Sequence, residues 1–216
     1  WGDAYRIIPS LYPTVGIFED IAMPDDLDDI LRLEAATNPR VLAEAGELSL
    51  VRPEDRITGE GTTPIMAAFT HAKPSRFSDG TFGVYYSAHD QETAIAETAF
   101  HRARFIADAG FVSEIVDMRV YKARITGMFD DIRGKGPHSK LYDPDVTHWA
   151  YPQQYGRRLY ERSRCDGIVF RSVRRPEGEC AAVFRPRCVT GCHVVRHLEY
   201  RFEDGRFTGA FEIQAA

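Results

Sequence analysis

Four short blocks of this chain carry side chains able to do chemistry. They are Ser75-Arg76-Phe77-Ser78-Asp79-Gly80, Gly83-Val84-Tyr85-Tyr86-Ser87-Ala88, Thr93-Ala94-Ile95-Ala96-Glu97 and, far downstream, Asp166-Gly167-Ile168-Val169-Phe170-Arg171-Ser172-Val173-Arg174. Tyr86 stands ten residues after Arg76 and eleven before Glu97. A guanidinium grips phosphate oxygens in two places and stays charged at any working pH. A carboxylate stabilises positive charge developing on a sugar ring during glycosyl transfer, and one preorganised electrostatic group of this kind is worth roughly 3 to 4 kcal/mol. A tyrosine face stacks on a flat ring for roughly 0.5 to 1.5 kcal/mol beyond burial, and a serine hydroxyl orients a neighbour by hydrogen bonding. Each residue also has an ordinary alternative: a surface glutamate, a structural ion pair, a core aromatic. Ser172 has no His-Asp partnership in view and is not read as a nucleophile.

Other signatures are missing. No Walker A loop, G-x-G-x-x-G, H-E-x-x-H or G-x-S-x-G stands in the sequence, so phosphate-loop, dinucleotide-fold, zincin and serine-hydrolase readings fall away. The four cysteines, at 165, 180, 188 and 192, include no C-x-x-C pair. Cys188, Cys192 and His193 lack the partner clusters of a zinc site, so the thiols are read as small apolar groups and no metal is expected. His71, His101, His138 and His148 are candidate polar contacts.

The blocks need elements to hold them. Gly83 to Ala88 has strand character, and Asp90 is a plausible N-cap for a helix from Gln91 to about Ala107. On that helix Ala94, Glu97, Thr98 and His101 recur at spacings of three and four, which places them on one face. Tyr85 and Tyr86 must point to opposite sides of their strand, so one meets the site and the other the core. Further strands are expected at Tyr5 to Pro9, Val112 to Ile125, Asp166 to Ser172, Cys180 to Phe184, His193 to Phe202 and Phe207 to Ile213, with Pro9 and Pro13 closing the first. Asp204-Gly205 signals a hairpin. Helices are expected at Pro24 to Leu33, with Leu27, Ile30, Leu31 and Leu33 along one side, and at Tyr155 to Cys165. Leu48 to Thr62 and Gly127 to Pro152 read as loops, and Pro64 to Phe69 is ambiguous. The pattern predicts one α+β domain over residues 1 to 216 with a mixed, largely antiparallel sheet.

Composition agrees with a folded domain: of 216 residues, 44% are hydrophobic and 27% charged. The net charge of −5 is uneven, with 5 basic and 13 acidic residues in positions 1 to 60 against 12 arginines and 7 acids in positions 157 to 206. An acidic chain without a helix-turn-helix signal is not expected to bind nucleic acid directly, though its arginine-rich segment can hold phosphate. For most of those arginines the plain reading is solvated surface charge. No apolar run has the 18 or so residues of a membrane span, so no membrane contact and a cytoplasmic location are expected.

Taken together the blocks resemble the RES domain, whose name records an arginine, a glutamate and a serine, here Arg76, Glu97 and Ser172. The opening Tyr5-Arg6-Ile7-Ile8-Pro9 extends the likeness over nearly the whole chain. Many members read Gly-Gly-Arg-Trp-Asn where this chain has Ser75-Arg76-Phe77-Ser78-Asp79, and the long acidic insertion between Arg6 and Arg76 is a second departure. The resemblance implies the toxin of a toxin–antitoxin pair, an Xre-like helix-turn-helix antitoxin as partner, an ADP-ribosyltransferase-like fold, and NAD as substrate, cleaved at the nicotinamide–ribose bond. The implied acceptor of ADP-ribose is water, phosphate or a protein. Glu97, Arg76, Tyr86 and Ser172 would then be catalytic, with Arg6, Arg76, Tyr86, Ser172 and Arg174 contacting NAD. A rival of another class is a non-catalytic regulatory protein, which a Glu97 turned into solvent away from Arg76 would favour.

Overall fold

The computed structural model describes residues 1–10, 16–19, 23–37, 40–134, 139–162 and 164–214. Among them eight strands form one sheet: β1 (Gly2–Pro9), β2 (Tyr85–Ala88), β3 (Glu114–Ile125), β4 (Phe129–Asp131), β5 (Gly167–Arg171), β6 (Glu179–Val183), β7 (Val189–Glu203) and β8 (Arg206–Ile213), in the order β4-β5-β6-β2-β1-β3-β7-β8. Only β4 and β5 run parallel; the other neighbours are antiparallel. The helices are α1 (Leu27–Thr37), α2 (Arg40–Ala45), α3 (Thr63–Thr70), α4 (Gln91–Asp108) and α5 (Ala150–Glu161).

Both faces of the sheet are covered because its strands carry apolar residues of both parities. In β3, Val116, Met118 and Val120 enter a core shared with Ala94, Ala99 and Ile106 of α4, whereas Tyr121, Ala123 and Ile125 enter one shared with Leu27 and Leu31 of α1 and Ile65, Met66 and Phe69 of α3. Alternation turns successive side chains to opposite faces, so one strand serves two cores. The α+β class and the mixed, largely antiparallel sheet are those expected.

The hairpin at Asp204-Gly205 joins β7 to β8 with both residues at positive φ, 50° and 68°. That is the geometry of a type I′ turn, whose twist matches the flanking strands. Elsewhere the structure corrects the expectation. Leu33 is 73% exposed whereas Leu27 and Leu31 are buried, so α1 offers a narrower apolar stripe. A 3-10 turn, Pro24–Asp26, leads into it, and α2 had not been foreseen. The ambiguous Pro64 to Phe69 segment is α3. The stretch read as loop from Gly127 to Pro152 contains β4, two 3-10 turns and the start of α5. Pro152 belongs to the first turn of α5, where a missing N–H costs nothing. Pro13 and His138 lie outside the described residues.

The arginine-rich segment is not all surface. Arg185 is 1% exposed and donates from Nη1 to Asp55 Oδ2 at 3.3 Å and from Nη2 to the Tyr160 carbonyl at 2.5 Å, while Arg187 pairs with the same Asp55 carboxylate. This cluster ties the acidic N-terminal part to the end of α5.

Candidate functional site

The strands β1 and β2 pair only at Tyr5↔Ala88. A cavity of about 410 Å³ opens beside them, within the usual range for small-molecule sites. Its walls include Arg6 from β1, Ser75 and Arg76 from the preceding loop, Tyr86 from β2, Glu97 and His101 from α4, and Trp149 at the entry to α5.

The helix α4 starts where the sequence says it should. Asp90 caps it, Oδ1 accepting from Thr93 N at 2.8 Å, which satisfies one of the first-turn N–H groups. Its face of Ala94, Glu97, Thr98 and His101 lines the cavity.

Glu97 is held at one end. Its Oε1 accepts from Ser172 Oγ at 2.6 Å and from Val173 N at 3.2 Å; Oε2 takes part in neither bond. Ser172 Oγ in turn accepts from the N–H groups of Arg174 and Arg175, both at 3.0 Å. One donated and two accepted bonds exhaust a hydroxyl. Ser172 is therefore a positioning group for Glu97. The turn depends on Gly178, where a Cβ would come within 2.6 Å of Thr93 Oγ1 and 3.1 Å of Ser172 Cβ.

Arg76 is 7% exposed. Its Nη1 donates to the carbonyls of Leu141 and Asp143, both at 2.9 Å, and its Cζ lies 5.8 Å from the centre of a Trp149 ring. Burial lowers its pKa, opposed chiefly by the nearby Glu97. The loop carrying Arg76 is seated on α5. Gln153 Nε2 donates to Ser75 O at 3.0 Å, and a Cβ on Gly156 would stand 2.0 Å from Phe77 O, so only glycine allows that approach.

Tyr86 turns its ring to the cavity, and Tyr85, fully buried, faces the other core. The Tyr86 hydroxyl donates to Ser75 Oγ and accepts from Phe77 N, each at 3.0 Å, and burial pushes its pKa up to about 12. Removing that hydroxyl strands the Phe77 N–H. Tyr86→Phe is expected to lose roughly 1 to 3 kcal/mol of stability, the penalty for an unsatisfied buried donor, measurable as a lower urea midpoint with an unchanged slope.

Arg6 lines the cavity, donates from Nη1 to Tyr86 O at 3.1 Å and lies with Cζ 4.8 Å from the centre of the Tyr85 ring; burial lowers its pKa. Arg174 is not a lining residue. Its Nη2 donates to Pro144 O at 2.6 Å and its Cζ sits 3.3 Å from the centre of the Phe100 ring. His148 contacts Asp143 Oδ2 at 2.8 Å and His71 the Glu44 carbonyl at 3.0 Å; neither lines the cavity. Cys188 and Cys192 are buried. Sequence reading missed Trp149 and Arg104 in the wall. Trp149 lay in a stretch read as loop, where a large aromatic in a long connection was the available signal.

A family model described as the RES domain matches residues 53–203. That span holds Arg76, Tyr86, Glu97, Ser172 and Arg174; Arg6, on β1, precedes it. A curated relative, the "Uncharacterized protein y4oC" of Sinorhizobium fredii, is 28% identical over 186 residues, which cover 84% of this chain and 74% of the relative. Among the described residues no helix is long and apolar enough to cross a membrane.

Proposed function

Since the chain belongs to the RES-domain family, found in toxins of RES–Xre toxin–antitoxin systems, we propose that it is an enzyme that cleaves the nicotinamide–ribose bond of cytoplasmic NAD and so depletes it. The observation that carries this reading is the meeting of Glu97, Arg76 and Tyr86 in one cavity, with Glu97 anchored through Oε1. The non-catalytic alternative expected Glu97 turned away from Arg76. Both instead line the same cavity, and Glu97 is the leading charge acting on the Arg76 guanidinium.

In the proposed reaction the bond between ribose C1′ and the pyridinium nitrogen breaks with its electron pair, and nicotinamide leaves neutral. Positive charge grows on the ribose ring, and the Glu97 carboxylate stabilises it. The Tyr86 ring offers a face to nicotinamide. Arg76, with Nη1 spent on two carbonyls, retains the N–H groups of Nε and Nη2 for the pyrophosphate, and Arg6 is proposed to support it; Arg174, held on Pro144 O and the Phe100 ring outside the cavity lining, is left out of this contact. No metal takes part in this proposal. An Xre-like antitoxin is the proposed partner, and the ADP-ribosyltransferase-like relationship is part of the same reading.

Nicotinamide release by the purified, antitoxin-free protein tests it. Release accompanied by free ADP-ribose or a phosphorylated product supports depletion, labelled protein in a cell extract assigns transfer to a protein, and no release under any of these conditions overturns the reading. Ser172→Ala is expected to lower kcat about ten- to a hundredfold, because hydrogen bonds to charged groups are worth about 1.5 to 3 kcal/mol. KM should change little if Ser172 acts only through Glu97. A steady-state comparison of the two constants checks this.

A further inference from the structure

The cavity holds a second group able to move a proton. His101 follows Glu97 by one helical turn on α4 and lines the same wall. Its ring is steered from two sides, edge-on to Phe100 with centroids 5.3 Å apart and tilted over Trp149 at 5.9 Å. Among the described residues neither ring nitrogen has a hydrogen-bond partner. The residue is also exposed to solvent. An imidazole with free nitrogens that lines a cavity and is exposed to solvent has what a general base needs: reach toward the proton it takes and a route to discard it.

We propose that His101 is the general base that takes a proton from an acceptor water, making water the acceptor of ADP-ribose; this rests on the NAD-cleaving reading above. The water oxygen bonds to ribose C1′, its proton passes to an imidazole nitrogen, and the C1′–N bond breaks with the pair on nicotinamide. ADP-ribose and nicotinamide are released, and the imidazolium returns its proton to solvent. The surroundings favour the neutral ring. Desolvation lowers its pKa below the usual 6.5, Glu97 opposes this, and Arg174, Arg76 and Arg104 reinforce it.

The test compares wild type, Glu97→Gln, His101→Gln and His101→Ala for nicotinamide release in phosphate-free buffer, with NAD affinity measured separately by tryptophan fluorescence. Wild-type hydrolysis should fall as pH drops below 6.5 toward the lowered pKa of His101. His101→Gln should lose roughly a hundredfold in kcat, keep NAD affinity within about twofold and lose that acid limb, and free imidazole should restore activity to His101→Ala. Hydrolysis by His101→Gln at the wild-type rate, or a slower rate with the limb intact and no imidazole rescue, overturns the assignment. The NAD reading itself would still stand if wild type released nicotinamide and Glu97→Gln did not. No release by wild type in phosphate-free buffer overturns the assignment of water as acceptor, and no release after phosphate or a cell extract is added overturns the NAD reading as well.

Discussion

Glu97→Gln should lower nicotinamide release by roughly a hundred- to a thousandfold, the usual effect of deleting one preorganised electrostatic group from a reaction site. The substitution keeps size and shape. It leaves an oxygen to accept from Ser172 Oγ and Val173 N, the two bonds that anchor Oε1, so the cavity should stay assembled. What disappears is the negative charge that, in the proposed reaction, would face the ribose as it turns positive. Kinetics on purified protein, with a melting curve as control, separates the two effects. A variant that folds and releases nicotinamide at the wild-type rate would remove Glu97 from the chemistry and end the proposed mechanism.

Asp55→Ala should produce the largest loss of stability, roughly 3 to 5 kcal/mol, because breaking a buried ion pair from one side leaves an uncompensated charge. Here that charge is Arg185, with a side chain 2% exposed against Asp55 at 3%. The carbonyl of Tyr160 would remain as an Arg185 partner but carries no compensating charge. Arg157→Ala, which breaks a pair with Asp79 where both side chains are more than a third exposed, should cost no more than about 1 kcal/mol. Urea denaturation of the two variants side by side measures the contrast. Equal losses would mean that Asp55 and Arg185 are not a buried pair in solution. Since Tyr160 lies in α5 and α5 seats the Arg76 loop, the Asp55 variant should also weaken NAD binding before it unfolds.

Much of this protein was legible one segment at a time. Alternating apolar residues marked β3, the positive-φ pair Asp204-Gly205 marked the hairpin, and Asp90 marked the start of α4, because each depends on the conformations of residues close in the chain. The spacing of Ala94, Glu97, Thr98 and His101 was enough to put them on one face. The charge pattern misled where burial intervened: Arg185 counted as one of many surface arginines until the fold surrounded it with Asp55 and Tyr160. Leu33 misled in the opposite way, since apolarity alone does not say whether a neighbour exists to cover it.

By itself the sequence determined the strands other than β4, the hairpin, the capped helix and the residue types that could cleave a glycosidic bond, for local geometry and hydrophobic period follow from neighbouring residues. Tertiary structure decided how they meet. It joined Ser172 to Glu97 across 75 positions and Asp55 to Arg185 across 130, gave β1 and β2 a single register pair beside the cavity, and placed Trp149 and His101 in one wall. Such pairings are set by strand order and by close approaches such as Gly156 on Phe77, and no local period encodes which distant partners a folded chain brings together.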